Sequence, residues 1–495
     1  MMYGEEKSDS LIVAANLANN PQGAESVERR SGAKGNAEQP HMRRTQSRES
    51  MSQRLSRVRE AAKQRKKERF TALFHLLTAE ALENAFLSLS RKAAAGVDGV
   101  RWKDYAENLK VNIADLHRRL HQGSYRAQPG RRHYIPKADG KQRPLGIASL
   151  EDKIVQYALV KILNAVYEND FMGFSYGFRP GRSQHNALDA LATGLGRTNV
   201  NWVLDADISQ FFDKVSHEWL IRFIEHRIGD QRVIRLIRKW LTAGTSEEGE
   251  WRASEEGTPQ GAVISPLLAN IYLHYVFDLW AHQWRRRHAT GNVVMVRYAD
   301  DIVIGFDKRI DAQCFRIAMQ RRLKEFGLTV HPKKTRLMEF GRFAAENRAS
   351  RGKGKPETFN FLGFTHISGK DRSGRFMLIR KTRRDRMTAT LKAIKDGLRK
   401  RWHYSIPEQG KWLRRVVQGY LNYHSVPGNY PMMRKFRIYV TDLWRRALRR
   451  RSQQDDTTWT KANRLAAVWL PKVRVLHPWP VERFTARHPR QEPGA

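Results

Sequence analysis

Apolar and polar positions repeat with two different periods along the chain, and together they predict an α+β protein. Apolar residues at helical spacing predict helices at 79–90, 110–122, 150–169, 218–243, 267–284 and 311–326. Short β-branched or aromatic runs predict strands at 132–136, 142–148, 202–208, 293–297, 302–306 and 359–365. The helices and strands do not alternate with the regular spacing of a doubly wound sheet, so we favour the α+β class.

Both ends of the chain differ from this middle part. Residues 1–50 are polar and show no period, so we expect them to be disordered. Towards the other end the sequence becomes helical, basic and rich in tryptophan. We therefore divide the chain into a disordered segment 1–50, a mixed unit 51–375, a helical domain 376–455 and a tail 456–495.

Composition narrows the choice of partner. The 495 residues include 90 Lys and Arg against 50 Asp and Glu, which gives a formal net charge of +40. A surplus of this size attracts polyanions, and nucleic acid is the leading partner. The single cysteine, Cys314, excludes a disulfide framework and a cysteine-based zinc site. There is no long apolar run and no basic segment before the short apolar patch near residue 11, so we expect a cytoplasmic protein without a membrane partner.

Two apolar runs deliver acidic side chains at their ends. The run VLDADISQFFD at 203–213 places Asp205 and Asp207 on one face of a strand. The run MVRYADDIVIG at 295–305 places Asp300 and Asp301 at a hairpin tip. Because like charges held close together destabilise each other, a divalent cation is expected to neutralise them, and carboxylate oxygens suit Mg²⁺. We predict that Asp207 and Asp300 build a two-metal phosphoryl-transfer site, against the alternative of a solvated Asp-Asp turn. Asp213 is interpreted as structural.

The amino-acid sequences of these segments resemble motifs of a known protein family. Tyr298–Asp301 matches the YxDD box of reverse transcriptases, and Asp207 lies in what looks like their first aspartate motif. Further segments, in matching order, resemble group II intron-encoded proteins, which are reverse transcriptases and maturases: QRPLGIASLEDKIVQ at 142–156, SYGFRPGRS at 175–183, GTPQGAVISPLLANIYL at 257–273 and FLGFT at 361–365. The resemblance runs from about residue 90 to 430.

The resemblance implies a right-hand polymerase, with fingers and palm around a central antiparallel sheet and a helical thumb behind them. It implies that Asp207, Asp300 and Asp301 are catalytic and bind two Mg²⁺ ions, with Mn²⁺ as a substitute. The backbone carbonyl of Ile208 is implied as a further metal ligand.

A nucleotide-binding set is implied in the same way. The hairpin 134–145 resembles the fingertip over the incoming nucleotide, where Lys137 and Arg143 would hold the triphosphate and Arg131 would assist. Two cations on a hairpin suit a triphosphate, and the alternative is a generic basic hairpin facing RNA. Gln260 resembles the glutamine that lines the nucleotide pocket.

The sugar gate of this family corresponds to Phe211 or Phe212, and we favour Phe211. The family has glycine where this chain has Ala262, and we expect the extra methyl group to be tolerated.

The helical domain resembles the thumb and maturase domain, most clearly in GYLNYHSVPGNY at 419–430. Apolar residues at helical spacing there are expected to be core: Leu391, Ile394, Leu398, Val417, Tyr420 and Leu421. The candidates for RNA contact are basic: Arg383, Arg384, Arg414, Arg415, Arg445, Arg446, Arg449 and Arg450.

We therefore expect an RNA-directed DNA polymerase that extends a DNA primer on an RNA template with dNTPs. We also expect it to bind its group II intron RNA and to assist RNA splicing and mobility of the element. The stretch after Arg451 has no cysteine pair, so the chain resembles the endonuclease-lacking relatives. Two alternatives are a domesticated reverse transcriptase in defence or repair, and a non-catalytic RNA-binding splicing factor. The sequence leaves the cognate intron and the oligomeric state open.

Overall fold

The computed structural model describes residues 41–136, 142–247, 249–451 and 457–487. The helices up to the central sheet are α1 (His41–Gln64), α2 (Ala79–Ser88), α3 (Trp102–Glu107), α4 (Leu109–Gln122), α5 (Leu150–Tyr167), α6 (Gln184–Arg197), α7 (His217–Glu225), α8 (Gln231–Thr242), α9 (Ser265–Leu273) and α10 (Leu279–Arg287). The later helices are α11 (Arg309–Glu325), α12 (Ala344–Ala349), α13 (Arg384–Arg399), α14 (Ile406–His424), α15 (Tyr430–Arg449), α16 (Trp459–Trp469) and α17 (Pro480–Arg487).

The strands form three sheets. They are β1 (Gly130–Pro136), β2 (Gln142–Ile147), β3 (Trp202–Asp207), β4 (Thr245–Glu247), β5 (Glu250–Arg252), β6 (Val293–Tyr298), β7 (Asp301–Phe306), β8 (Arg336–Glu339), β9 (Phe359–Phe361), β10 (Phe364–Lys370) and β11 (Phe376–Thr382). The sheet orders are β2-β1-β4-β5, β6-β7-β3-β8 and β11-β10-β9.

The sheet β6-β7-β3-β8 is antiparallel and separates two hydrophobic cores. Side chains of a strand alternate between faces, so Leu204 joins the larger core while its neighbour Val203 joins the smaller one. Helices α5, α9 and α11 cover the first face, and α6 covers the second. Burial on both faces fixes the register of the strands, because a one-residue slip would turn every apolar side chain to the wrong side.

The predicted α+β class with a central antiparallel sheet and a helical carboxyl-terminal region is confirmed, whereas the sheet β2-β1-β4-β5 is mixed because β1 and β4 pair in parallel. The prediction of one strand at 359–365 is wrong. Leu362 (φ 45°) and Gly363 (φ 80°) form a turn that folds the segment into β9 and β10, which pair antiparallel.

Two of the predicted helices are interrupted. Residues 218–243 form α7 and α8, because the Asp230 side chain accepts a hydrogen bond from the Arg232 amide and caps α8. Residues 267–284 contain a π-helical turn at His274–Asp278 between α9 and α10. Ser265 begins α9 without capping it, because its hydroxyl donates to the carbonyl of Pro259.

Boundaries at both ends also differ from the prediction. Helix α1 begins at His41, inside the segment 1–50 expected to be disordered, whereas residues 1–40 lie outside the described chain. The helical region begins at Arg384 rather than 376, because β11 still pairs with β10. The tail contains α16 and α17, and α17 packs against α6. None of the helices in the described segments is both long and apolar enough to cross a bilayer.

Candidate active site

The acidic residues meet at one end of the central sheet. In the β3–β7 pairing Asp207 lies opposite Asp301, and in the β6–β7 pairing Tyr298 lies opposite Asp301. The β6–β7 turn therefore consists of Ala299 and Asp300, and Ala299 is held in the left-handed region at φ 56°. The structure thus brings the ends of β3 and β7 together and sets Asp300 on the tip beside them.

The carboxylates perturb one another. Loss of hydration raises the pKa of Asp301 to about 7, with further contributions from the charges of Asp300, Asp207 and Asp205. The pKa of Asp300 is also raised, chiefly by loss of hydration and then by Asp207, whereas the cations Arg143 and Lys334 oppose the shift. This end of the sheet carries more negative charge than it can hold without positive partners.

A lysine supplies part of that positive charge. The Lys334 ammonium lies 2.9 Å from Oδ2 of Asp207. Within the described ranges no three Asp, Glu, His or Cys side chains form a ready-made metal site. The carboxylates of Asp207, Asp300 and Asp301 nonetheless fit a divalent cation. Carboxylate oxygens are suitable ligands for such an ion, and its positive charge would neutralise the clustered negative charges.

The backbone next to Asp207 fits the same ligand set. An antiparallel bridge pairs Ile208 with Val330. Its hydrogen bonds run from the His331 amide to the carbonyl of Asp207 and from the Ser209 amide to that of Thr329. This bridge therefore does not use the carbonyl of Ile208, the implied metal ligand.

A buried ion pair fixes the turn that carries Asp300. Arg297, in β6, and Asp278, in the π-helical turn, are both fully buried and form a two-point salt bridge. The Arg297 guanidinium also donates to the carbonyl of Ala299 at 3.0 Å, and to Ser175 Oγ and Asn270 Oδ1. The strained residue of the turn is thus tied to the helix beneath the sheet.

The segment SYGFRPGRS supports the same turn from outside. Ser175 bridges to Arg297 along the edge of β6. Gly177 packs so closely that a Cβ atom there would lie 2.3 Å from the amide nitrogen of Ala299. Asn270 donates to the carbonyl of Gly177 at 2.7 Å. Only glycine fits between this segment and the turn.

The loop with Gln260 lies on the other flank, beside β3. The Thr258 amide donates to the carbonyl of Phe212 at 2.7 Å, and the Gln260 amide group donates to Asp213 at 2.9 Å. Phe211 is 2 % exposed and packs against Tyr272 in the core, whereas Phe212 is only half-buried. Of the two rings, only that of Phe212 is partly exposed. Asp213, interpreted as structural, is the hydrogen-bond partner of Gln260.

The β1–β2 hairpin stands over this loop. The Gly146 amide donates to the carbonyl of Gln260 at 2.7 Å. Arg143 is exposed, and its charge acts on the Asp300 carboxyl across the cleft. Arg131 is engaged elsewhere, with its guanidinium on the carbonyl of Ala95 at 2.8 Å. Lys137 lies outside the described residues. Ala262 is buried.

Sequence reasoning missed Lys334, Asp278 and the role of Arg297. The sequence did contain signals for the buried pair: Arg297 lies inside the apolar run VVMVRY, and Asp278 lies inside the apolar helix before it. Lys334 lies among several basic residues and carries no such signal.

One protein-family model matches the central part of the chain. Residues 135–366 match the family model described as "Reverse transcriptase (RNA-dependent DNA polymerase)". That range contains Asp207, Asp300, Asp301 and Gln260. The matched range therefore includes the cleft described above.

Curated relatives point the same way. The chain is 44% identical over 206 residues to "Protein YkfC" of Escherichia coli, which covers 41% of this chain and 54% of that protein. It is 38% identical over 223 residues to "Group II intron-encoded protein LtrA" of Lactococcus lactis, and this match covers 44% of this chain and 37% of that protein. It is 26% identical over 393 residues to the "Putative COX1/OXI3 intron 1 protein" of Saccharomyces cerevisiae, covering 66% and 46%. The chain spans about half or less of these relatives.

Proposed function

We propose that this chain is an RNA-directed DNA polymerase that also binds its intron RNA, because residues 135–366 match the reverse transcriptase family model and the chain is similar to a group II intron-encoded protein. The observation that carries the proposal is the register of β3 and β7, which sets Asp207 opposite Asp301 with Asp300 on the adjoining tip. The substrates would be an RNA template, a DNA primer and dNTPs. The 3′-oxygen of the primer would attack the α-phosphorus of the dNTP, and pyrophosphate would leave.

Asp207, Asp300, Asp301 and the carbonyl of Ile208 would hold two divalent ions, Mg²⁺ by donor type, with Mn²⁺ as a substitute. When bound, such ions activate the attacking hydroxyl and neutralise the leaving group. Arg297 keeps the turn of Asp300 rigid, so the carboxylates need little reorganisation during the reaction.

The nucleotide would lie between the hairpin and the Gln260 loop. Arg143 would contact the triphosphate, together with Lys137, and Gln260 would line the base pair. We propose Phe212 rather than Phe211 as the ring under the sugar, because Phe211 is committed to the core. Arg131 would act by holding the loop of Ala95 rather than the phosphates.

The helical region would bind intron RNA. Its apolar stripes are internal, as expected, since Ile394, Leu398, Val417, Tyr420 and Leu421 are buried and Leu391 packs against them. The outer faces are basic and largely exposed, and α13 and α15 enclose a cavity of about 110 Å³ lined by Lys395, Arg399, Trp402, Arg446 and Arg450. Cations beside the half-buried ring of Trp402 suit phosphate and an unpaired base.

Primer extension tests the polymerase proposal. Wild-type protein should incorporate dTTP on poly(rA)/oligo(dT) with Mg²⁺, and Asp300→Asn should abolish incorporation. The matched control is Asp307→Asn, at the opposite end of β7, where the side chain faces Asn201. Incorporation equal in Asp300→Asn and wild type, or none in wild type, would refute the proposal.

The splicing proposal needs a separate readout. Asp300→Asn should still bind intron RNA and promote splicing, because the RNA performs that reaction and the protein supplies binding energy. Charge reversal of Arg414 and Arg415, both exposed on α14, should weaken RNA binding and make the remaining binding less sensitive to salt, because fewer phosphates are neutralised. Equal loss of splicing in a folded Asp300→Asn variant would contradict the separation of roles.

A further inference from the structure

Phe178 combines two features that are unfavourable in a soluble protein. Its backbone lies in the left-handed region at φ 58°, where a side chain with a Cβ atom is strained. Its ring is nevertheless 49 % exposed, so burial does not compensate the strain. Strain of this kind persists where the neighbouring structure imposes it, and it concentrates at functional sites.

The neighbours of Phe178 impose its conformation. On one side, Tyr176 donates its amide to the carbonyl of Arg297, and Gly177 is wedged against Ala299. On the other side, the Arg179 guanidinium is buried in an ion pair with Glu168. Because the residues before and after Phe178 are both held in place, the backbone at Phe178 is restricted to one conformation, and its ring stays outside the core.

The ring stands beside the catalytic turn. Its centroid lies 6.3 Å from that of Tyr298, next to Ala299 and Asp300. This is the β6 flank of the acid cluster, whereas Gln260 and Phe212 lie on the β3 flank. Along the β6 flank the amino end of α6 follows, where His185 contacts Tyr423 of α14 at 5.0 Å. The side chains on the β6 flank therefore extend from the β6–β7 turn towards the helical region.

We propose that Phe178 is a primer-binding residue, whose ring supports the 3′-terminal nucleotide of the primer beside Tyr298. This rests on the polymerase function proposed above. The reaction needs two substrates at the same carboxylates, and the β3 flank is assigned to the incoming nucleotide. The primer end then lies on the β6 flank, where an apolar ring can pack against its sugar and base.

Two substitutions separate function from folding. Phe178→Gly removes the ring and the backbone strain together, so the melting temperature should be unchanged or higher while extension falls. Phe178→Ala should lower the extension rate at saturating dNTP by about tenfold or more, the effect expected for loss of one stacked ring. The KM for dNTP should change little, and Phe178→Tyr should restore the rate.

The terminal base pair gives a second readout. Phe178→Ala should discriminate less between matched and mismatched primer ends, because the ring no longer aligns the terminal nucleotide. The matched control is Phe343→Ala, which is 45 % exposed and follows the end of β8 that pairs with Trp202, away from Asp207.

A wild-type rate and wild-type discrimination in Phe178→Ala would overturn the inference, and so would an effect confined to the KM for dNTP. Because both comparisons are made against active wild-type protein, failure of the polymerase proposal itself would show separately as no extension by the wild type.

Discussion

At the scale of single residues, the buried pair of Arg297 and Asp278 offers a sharp test of how the turn is held. Asp278→Asn would leave the Arg297 charge fully buried without its counter-ion. We expect the free energy of unfolding to fall by about 3–5 kcal/mol, which is the usual cost of removing one partner of a buried ion pair. Urea unfolding monitored by tryptophan fluorescence measures it, and the extension rate of the folded fraction should fall as well.

A surface pair serves as the comparison. Arg322 and Glu325 lie one helical turn apart on α11, with the carboxylate largely exposed. Glu325→Gln should change the unfolding free energy by no more than about 1 kcal/mol, because water screens such pairs. Similar losses in Asp278→Asn and Glu325→Gln would show that the buried pair does not support the turn.

His366 makes stability depend on pH. It is fully buried, stacked on Phe359 and close to Arg380, and loss of hydration lowers its pKa to about 3. The unfolded chain therefore binds a proton below about pH 6.5 that the folded chain refuses, so stability should rise as pH increases from 4 to 6. His366→Phe should reduce that slope by up to about 1.4 kcal/mol per pH unit.

Urea titrations at several pH values measure this slope. Exposed His75→Gln is the control and should leave the slope unchanged. An unaltered slope in His366→Phe would mean that His366 can take up its proton in the folded protein.

The residues of the acid cluster were accessible from the sequence, whereas their supports were not. Strand alternation and the apolar runs were enough to nominate Asp207, Asp300 and Asp301. Lys334 reaches Asp207 from another segment, 127 residues further along the chain, and that contact exists only after β3 and β8 have paired. Phe211 and Phe212 are equally apolar, so only packing against Tyr272 distinguishes them.

At the scale of elements, Gly261 joins the β1–β2 hairpin to the loop that carries Gln260. Its φ of 107° is unfavourable for any other residue, and a Cβ atom there would lie 3.1 Å from the carbonyl oxygen of Gly146 in β2. Gly261→Ala should therefore displace the hairpin and raise the KM for dNTP by about tenfold or more, because small misplacements of reacting groups have large effects. Steady-state extension at varied dTTP measures it.

Gly123 is a matched control for this substitution. It ends α4 at φ 79°, but a Cβ atom there would meet open space. Gly123→Ala should cost about 1 kcal/mol of stability through backbone strain and leave the KM for dNTP unchanged. If both alanine variants behave alike, strain rather than the contact with β2 explains the effect.

The sequence predicted most elements, and it failed where a tertiary contact overrides the local pattern. The run 218–243 keeps an apolar stripe throughout, but Asp230 also accepts from the amides of Leu73 and Phe74, which stops the helix there. The run 359–365 is mostly apolar, and Gly363 is the only glycine in it, so the sequence gives only a weak signal for the reversal at Leu362. Such breaks are set by partners distant in sequence.

At the scale of the whole molecule, α17 connects the helical region back to the central sheet. Asp189 of α6 is buried between Arg380 of β11 and Arg483 of α17. Phe484 joins the smaller core beside the sheet. The segment before α17 is bonded to the end of α14, since the amide of Leu476 donates to the carbonyl of Ser425. The chain thereby forms a strap from α14 to α6.

This strap should control how firmly the helical region is held during synthesis. Arg483→Ala removes the tie between α17 and Asp189, while Arg380 still neutralises the carboxylate. We expect faster amide hydrogen exchange in α17 and shorter extension products per binding event, with the rate of single-nucleotide addition unchanged. Exposed Arg474→Ala is the control. Asp189→Ala should be more destabilising than Arg483→Ala. It should lower the free energy of unfolding by about 3 kcal/mol or more, because it leaves two buried arginines without a counter-ion. Wild-type product lengths in Arg483→Ala, despite faster exchange in α17, would show that the strap does not govern the helical region.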